Sequence, residues 1–211
     1  MTKVQALKKL MEDNEGLASW SLIYNELEKY YPNIKKSKEW KAGIRGVLYR
    51  DIGKTFKKLD NGLFAILEFK ENKYLENAKT TEKTMEIKIR IGQNFFRKVL
   101  LKNLIFCPFT NIKFTDLLIA SHIKPWNKSD DFERLDVYNG FIFTPTYDKL
   151  FDRGYISFRD NKSLLVSKSL DKDVRQKLHL RDDDVISNLQ ITNRNKYLEY
   201  HRDEVYDKFN Y

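Results

Sequence analysis

The chain has one cysteine, Cys107, which excludes an internal disulfide and any multi-cysteine zinc site. Its apolar neighbours in LIFCPF mark it as a buried small hydrophobe. Histidine is nearly as scarce, with three in 211 residues, so each can be weighed singly for chemistry. No apolar run is long enough to span a bilayer, and MTKVQALKKL lacks a secretory apolar segment, which together predict an intracellular, cytoplasmic protein without a membrane partner. Internal repeats and low-complexity tracts are also missing.

What is present is charge of mainly one sign. Lys and Arg number 39 against 30 Asp and Glu, a formal charge of +9 spread along the chain. Such a surface suits a polyanion, because neutralised phosphates release counterions, but a solvated lysine-rich face needs no ligand at all. A 41% apolar fraction and this length are enough for one large or two small domains with a real core.

The first 68 residues read as three helices and a hairpin. Val4, Leu7, Leu10 and Met11 fall at helical spacing before Gly16. A second helix fits SWSLIYNELEKYYP, capped by Ser19 or Ser21 and closed by Pro32. The third fits SKEWKAGIRGVLYRDIG, with Trp40, Ile44, Val47 and Leu48 inward and Lys38, Lys41, Arg45 and Arg50 outward. TFKKLDNGLFAI then forms a hairpin around Asp60, Asn61 and Gly62. This outline resembles a winged helix-turn-helix module, which implies that the third helix, with Lys38, Lys41 and Arg45, meets the major groove of double-stranded DNA. A small helical support or dimerisation domain is the competing reading. Residues 69–86 read as a polar linker, and from Ile87 a helix bearing Phe95, Phe96, Val99 and Leu100 opens a second domain spanning 87–211, with Arg97 and Lys98 available to phosphate.

The chemistry is expected between Asp116 and Gly154. LLIASHI is a short strand, FIFT an alternating strand after Gly140, and TYDKLFDRG a helix stopped by Gly154. Phosphodiester hydrolysis needs a base for water and positive charge for the developing phosphate charge; imidazole suits the first, and a hard divalent cation on carboxylates the second. Asp148 and Asp152 stand one turn apart on the same helix face. Each also has a purely structural explanation, as a helix N-terminal acid and a helix-end residue respectively.

The series A-S-H-I-K-P-W, then Y-N-G, then Y-D-K-L-F-D-R-G, resembles the HNH nuclease family, in particular its restriction-type branch. G-Q-x-x-F-R-x-x-L-L from Gly92, the C-P-F-T run and L-E-Y-H-R near the end extend the likeness over roughly residues 88–208. The resemblance implies an α+β protein: an N-terminal winged helix-turn-helix-like domain (1–68) and a C-terminal ββα-metal domain (87–211). It further implies His122 as general base, Asn139 as the residue tying the loop between the strands, and Asp148 as metal ligand, with Asp152 a second. The implied cofactor is Mg2+ or Mn2+, with no zinc. Lys124 and Arg97 join the DNA-contacting set. Ser121 departs from the broader family, which often carries an acid or histidine before the base.

The implied activity is a restriction-type, type II-like DNA endonuclease in a prokaryotic cytoplasm, leaving 5′-phosphate and 3′-hydroxyl ends and working as a homodimer for double-strand cleavage. Two alternatives remain at this level: a modification-dependent endonuclease sensing methylated or hydroxymethylated DNA, and a non-catalytic DNA-binding regulator. Trp126, in the insert between His122 and Asn139, is expected to pack under the loop or to stack near DNA. His201 is expected to be structural, and His179 a surface or helix-end residue.

Overall fold

The computed structural model describes residues 1–70 and 81–208, with side chains in the second stretch from residue 86 onward. Most of the expected linker, residues 71–80, therefore lies outside the described residues. The chain divides into two compact units, Met1–Phe96 with Asp130–Val137, and Arg97–Ser129 with Tyr138–Tyr211.

The first unit runs α1 (Lys3–Glu12), β1 (Leu17–Ser19), α2 (Trp20–Glu26), α3 (Trp40–Arg50), β2 (Phe56–Asp60), β3 (Leu63–Ile66). Thr2 and Gln5 close a reciprocal capping box at the start of α1, satisfying two amide donors that a helix N-terminus leaves free. Ser19 caps α2 through its Oγ, which accepts from the Leu22 amide. The α-helix is shorter than the sequence suggests: it ends at Glu26, and a single 3-10 turn, Leu27–Lys29, carries the chain toward Pro32.

β1 is the one strand without a sequence signal. Three residues are too few to show a period, yet Leu17–Ser19 pairs antiparallel with β3, giving a three-stranded sheet in the order β1-β3-β2. The hairpin turns at Asn61 and Gly62, where only Gly62 takes a positive φ, 76°. Ala6, Leu7, Leu10 and Met11 of α1, Ile44 and Leu48 of α3, and Phe56 and Phe64 of the sheet are fully shielded and form the core. Truncating any one of the large members would cost about 3 kcal/mol.

Residues 130–137 belong to this unit although they lie in sequence between the two central strands of the other. Asp136, 4% exposed, accepts from Ser21 Oγ at 2.8 Å, and Ser19 Oγ donates to the Leu135 carbonyl at 3.3 Å. Asp130 caps its own short turn through the amides of Phe132 and Glu133, and Arg134 pairs with Asp131 at 3.1 Å. The acids of the insert are thus used to fold it.

α4 (Thr81–Asn103) begins in the first unit and continues into the second. Then follow β4 (Ile119–His122), β5 (Gly140–Phe143), α5 (Pro145–Asp152), β6 (Ile156–Phe158), β7 (Leu164–Val166), α6 (Lys172–Lys177) and α7 (Asn195–Glu204). β4 pairs antiparallel with β5, and β6 with β7. Every residue of β5 is buried, so the alternation expected of FIFT is absent from its burial. One face is buried by aromatic packing: Phe141, Phe143, Phe151 and Phe158, each at most 1% exposed, lie within 5.4 to 6.2 Å of one another in tilted, edge-on and stacked pairs. This cluster locks β5 to α5 and β6, and thereby fixes the strand and helix that carry the candidate site. Between β6 and β7 the chain turns at Asp160 and Asn161, as the sequence predicts.

Candidate active site

His122 is the last residue of β4 and stands opposite Gly140, the first of β5. The antiparallel ladder therefore fixes its backbone while its ring, half-buried, meets Trp126 edge-on at 5.3 Å and 86°. Trp126 is likewise half-buried, so it packs on the candidate base itself.

Asn139 is fully shielded, and its side chain makes three hydrogen bonds to the loop that follows His122. Its Oδ1 accepts from the Lys124 amide at 2.8 Å, and its Nδ2 donates to the Lys124 carbonyl at 3.3 Å and to Ser129 Oγ at 3.2 Å. Its own carbonyl accepts from the Ile123 amide at 3.1 Å. Ser129, buried, donates onward to the carbonyls of Lys124 and Pro125. The turn after His122 is thus held from two sides by one amide side chain and one hydroxyl.

Asp148 lies in the first turn of α5, where Pro145 begins the helix and the Asp148 amide donates to the Thr144 carbonyl. Its carboxylate is hydrogen-bonded by Ser121, the residue beside His122 on β4. Burial raises the Asp148 carboxyl above the ordinary range; the Ser121 hydroxyl works against the rise, the charge of Asp152 adds to it, and Lys149 opposes it. Asp152 is exposed, one turn further along α5.

Two further residues complete the frame: Ser121, singled out in the sequence only as a departure, and Arg194, which the sequence did not single out. Ser121, which reads as a departure from an acidic pattern, is the hydrogen-bond donor to Asp148 and is only 4% exposed. Arg194, 4% exposed, donates from Nε to the Gly140 carbonyl at 2.9 Å, directly behind the residue paired with His122, and lies against the Tyr138 and Phe141 rings. A lone arginine in a polar stretch gives no advance sign of this.

The cations proposed from sequence are placed differently from one another. Arg97 donates to the carbonyls of Leu118 and Thr115, bracing the chain ahead of β4. The amide of Lys124 is held by Asn139, and its ammonium lies 5.1 Å from the Tyr200 ring centre. Lys38, Lys41 and Arg45 are exposed at and before α3 in the other unit; Lys41 lies over the Tyr24 and Trp40 rings, and Arg45 approaches the Tyr24 hydroxyl at 3.5 Å. His201 is 1% exposed, stacked on Phe151 at 3.9 Å, and His179 is exposed just beyond α6.

A strand ending in histidine, an asparagine-tied loop, an antiparallel strand and a helix opening with an aspartate follow one another without interruption by another element of regular α or β structure. Residues 107–159 match the family model of HNH endonucleases. That segment is similar to an HNH endonuclease domain. The likeness is to nucleases, hydrolases of phosphodiesters, and implies DNA as the substrate. A search of curated proteins gives no match to the chain.

HNH nucleases generally use divalent metal ions. Among the described residues no group of three or more His, Cys, Asp or Glu is placed to hold one. The protein donors at the site are therefore few: Asp148, with Asp152 one turn on. Magnesium-class ions keep several waters and commonly take one or two carboxylates together with substrate phosphate, so this donor set fits an ion shared with the substrate. A carboxyl raised by burial and by a second acid is also a group that a nearby divalent cation would relieve.

Proposed function

We propose that the protein is a restriction-type HNH DNA endonuclease in which His122 takes the proton from the attacking water. The observation that carries this reading is the joint placement of His122 and Ser121 on β4, with Ser121 hydrogen-bonded to Asp148 of α5 and the turn after His122 tied by Asn139. A base and a carboxylate from different elements are thereby held in one frame.

In this scheme neutral His122 accepts the water proton as the phosphodiester is attacked. Asn139 acts as a positioning residue: its three side-chain bonds hold the loop, and through it the end of β4. Ser121 orients the Asp148 carboxylate. Asp148, aided by Asp152, would hold a magnesium- or manganese-class ion, which supplies positive charge to the phosphate and to the leaving oxygen when bound. Products then carry 5′-phosphate and 3′-hydroxyl ends, and a homodimer would cut both strands with one site on each.

Substrate recognition is assigned to the first unit. Its order, α1-β1-α2-α3-β2-β3, with a three-stranded antiparallel sheet, supports the winged-helix reading, and α3 presents Lys41, Arg45 and Arg50 to solvent while Ile44 and Leu48 face the core. Phosphate contacts by such cations position a protein on DNA without reading its sequence.

The test is supercoiled plasmid incubated with the purified protein and Mg2+ or Mn2+. Wild type is expected to yield nicked and linear forms, and His122→Ala to lose activity by at least roughly a hundredfold. Undiminished cleavage by His122→Ala would remove His122 as the base, and DNA bound but never cut by wild type in either metal would favour a non-catalytic DNA-binding protein.

A further inference from the structure

Away from His122, the HNH-bearing unit has a basic cleft at the C-terminal end of α6, with a volume of about 590 Å³. Lys172, Arg175, His179 and Arg181 line it, and Asp182 is its acid. That acid is directed elsewhere: its Oδ1 accepts from the Val166 amide at 3.0 Å, and its other oxygen faces Arg159 at 3.9 Å. Lys177 on the same helix is paired with Asp173 and takes no part. Arg175 supplies the decisive detail. Its Nε is shielded from solvent and has no hydrogen-bond partner in the protein. A guanidinium donor left unmade is costly, so a small shift of this side chain that turned Nε toward an acceptor in the cleft would recover that loss.

The cleft is also fixed relative to the catalytic helix. Tyr147, the residue before Asp148, donates from its hydroxyl to the Leu178 carbonyl at the end of α6, and its ring is stacked on Phe109 at 4.1 Å. The last carbonyls of α6 are further occupied by the amides of Leu178, His179 and Leu180, so the negative end of the helix does not oppose an anion there.

We infer that this cleft is a phosphate-binding subsite that takes a backbone phosphodiester of the DNA on which the neighbouring HNH site acts. Planar guanidinium groups match phosphate oxygens, and an open cleft with three cations, Lys172, Arg175 and Arg181, against one acid that is bonded elsewhere suits a passing polyanion. The assignment rests on DNA being the substrate and extends the nuclease reading by a second anchoring point on the strand.

Fluorescence anisotropy with a duplex DNA in EDTA tests it without requiring cleavage. Lys172 and Arg181 are exposed, so Lys172→Gln with Arg181→Gln should leave the fold intact, as checked by circular dichroism. Losing the contact to that phosphate lowers the slope of log K against log salt by about 0.9, and at roughly 0.15 M salt weakens binding by about 5-fold. Arg175→Lys keeps the charge but removes the buried Nε donor; it should weaken binding while leaving the slope close to wild type. An unchanged slope and affinity in the double variant would overturn the inference even if the protein cuts DNA. Conversely, a lowered slope in a protein that never cuts would uphold the subsite while the nuclease reading fails. Inorganic phosphate that protects Arg175 from a guanidinium-modifying reagent, while DNA does not, would also overturn it.

Discussion

His201 gives the most quantitative prediction, because its environment fixes both its tautomer and its titration. The Phe151 carbonyl, 3.1 Å from Nε2, can only accept, so Nε2 carries the proton; Nδ1, 2.9 Å from Ser157 Oγ, then accepts from that hydroxyl. The ring is neutral and almost wholly enclosed. Burial is the main reason that its pKa is lowered from 6.5 to about 4, with the Phe151 carbonyl opposing and Arg202 adding to the fall. The folded protein thus binds fewer protons than the unfolded chain between those two values. The stability that the neutral ring contributes is complete above about pH 6.5, declines as pH falls through the window, and is fully lost below about pH 4. The gap corresponds to about 3 kcal/mol. His201→Gln keeps a donor and an acceptor but cannot titrate, and it carries a pH-independent penalty for the lost stacking on Phe151. Denaturant dependence of hydrogen exchange at β6 and α7 amides reports this unit separately. The stability difference between wild type and His201→Gln should shrink by about 3 kcal/mol from pH 7 to pH 4. A difference that stays constant within about 0.5 kcal/mol across that range would refute the buried, neutral assignment.

Three further outcomes follow from specific contacts. Gly154→Ala should destabilise by at least about 3 kcal/mol, because φ is 73° and a Cβ would lie 2.2 Å from the Val205 carbonyl oxygen; a thermal melt within about 2 °C of wild type would contradict this. Asn139→Ala strips partners from the Lys124 amide and carbonyl and from Ser129, costing about 2–4 kcal/mol in denaturant titrations; kcat on plasmid should fall roughly a hundredfold with KM for DNA little changed. Ser121→Ala removes the hydroxyl bonded to Asp148, and it should lower kcat about tenfold and raise the Mn2+ concentration needed for half-maximal cleavage, with the melting temperature as control for folding.

The parts of the fold legible in the sequence are those whose signals are local. Leu7, Leu10 and Met11 at helical spacing, the Asn61-Gly62 turn and the stop at Gly154 each arise within a few residues, and each is found where it was expected. What could not be read is set by partners far away in sequence. β1 has three residues and no period of its own, and exists because β3 offers it a free edge. The residence of Asp130–Val137 in the first unit depends on Ser19 and Ser21 meeting residues more than a hundred positions away. β5 loses its alternation because both of its faces are buried, the one bearing Phe141 and Phe143 in an aromatic cluster with Phe151 and Phe158.

At the site, the spacing of His122, Asn139 and Asp148 carries the family likeness, but spacing reports only which residues recur and not how charge is managed among them. Ser121 shows the difference. As a letter it is a missing ligand, a hydroxyl where a carboxylate or imidazole is often found. In the fold it is a buried donor to Asp148, working against the burial that disfavours that carboxylate's charge. A second acid at that position would instead add to the repulsion already exerted by Asp152 and would need an ion bound before substrate arrives. With serine there, the hydroxyl bonds to the carboxylate, and under the proposed function its remaining need for positive charge would be met by a cation that enters with phosphate. On the proposed reading, a serine at this position would tie metal occupancy to the presence of DNA, so cleavage, rather than metal binding by the free protein, is the measurement that tests this site.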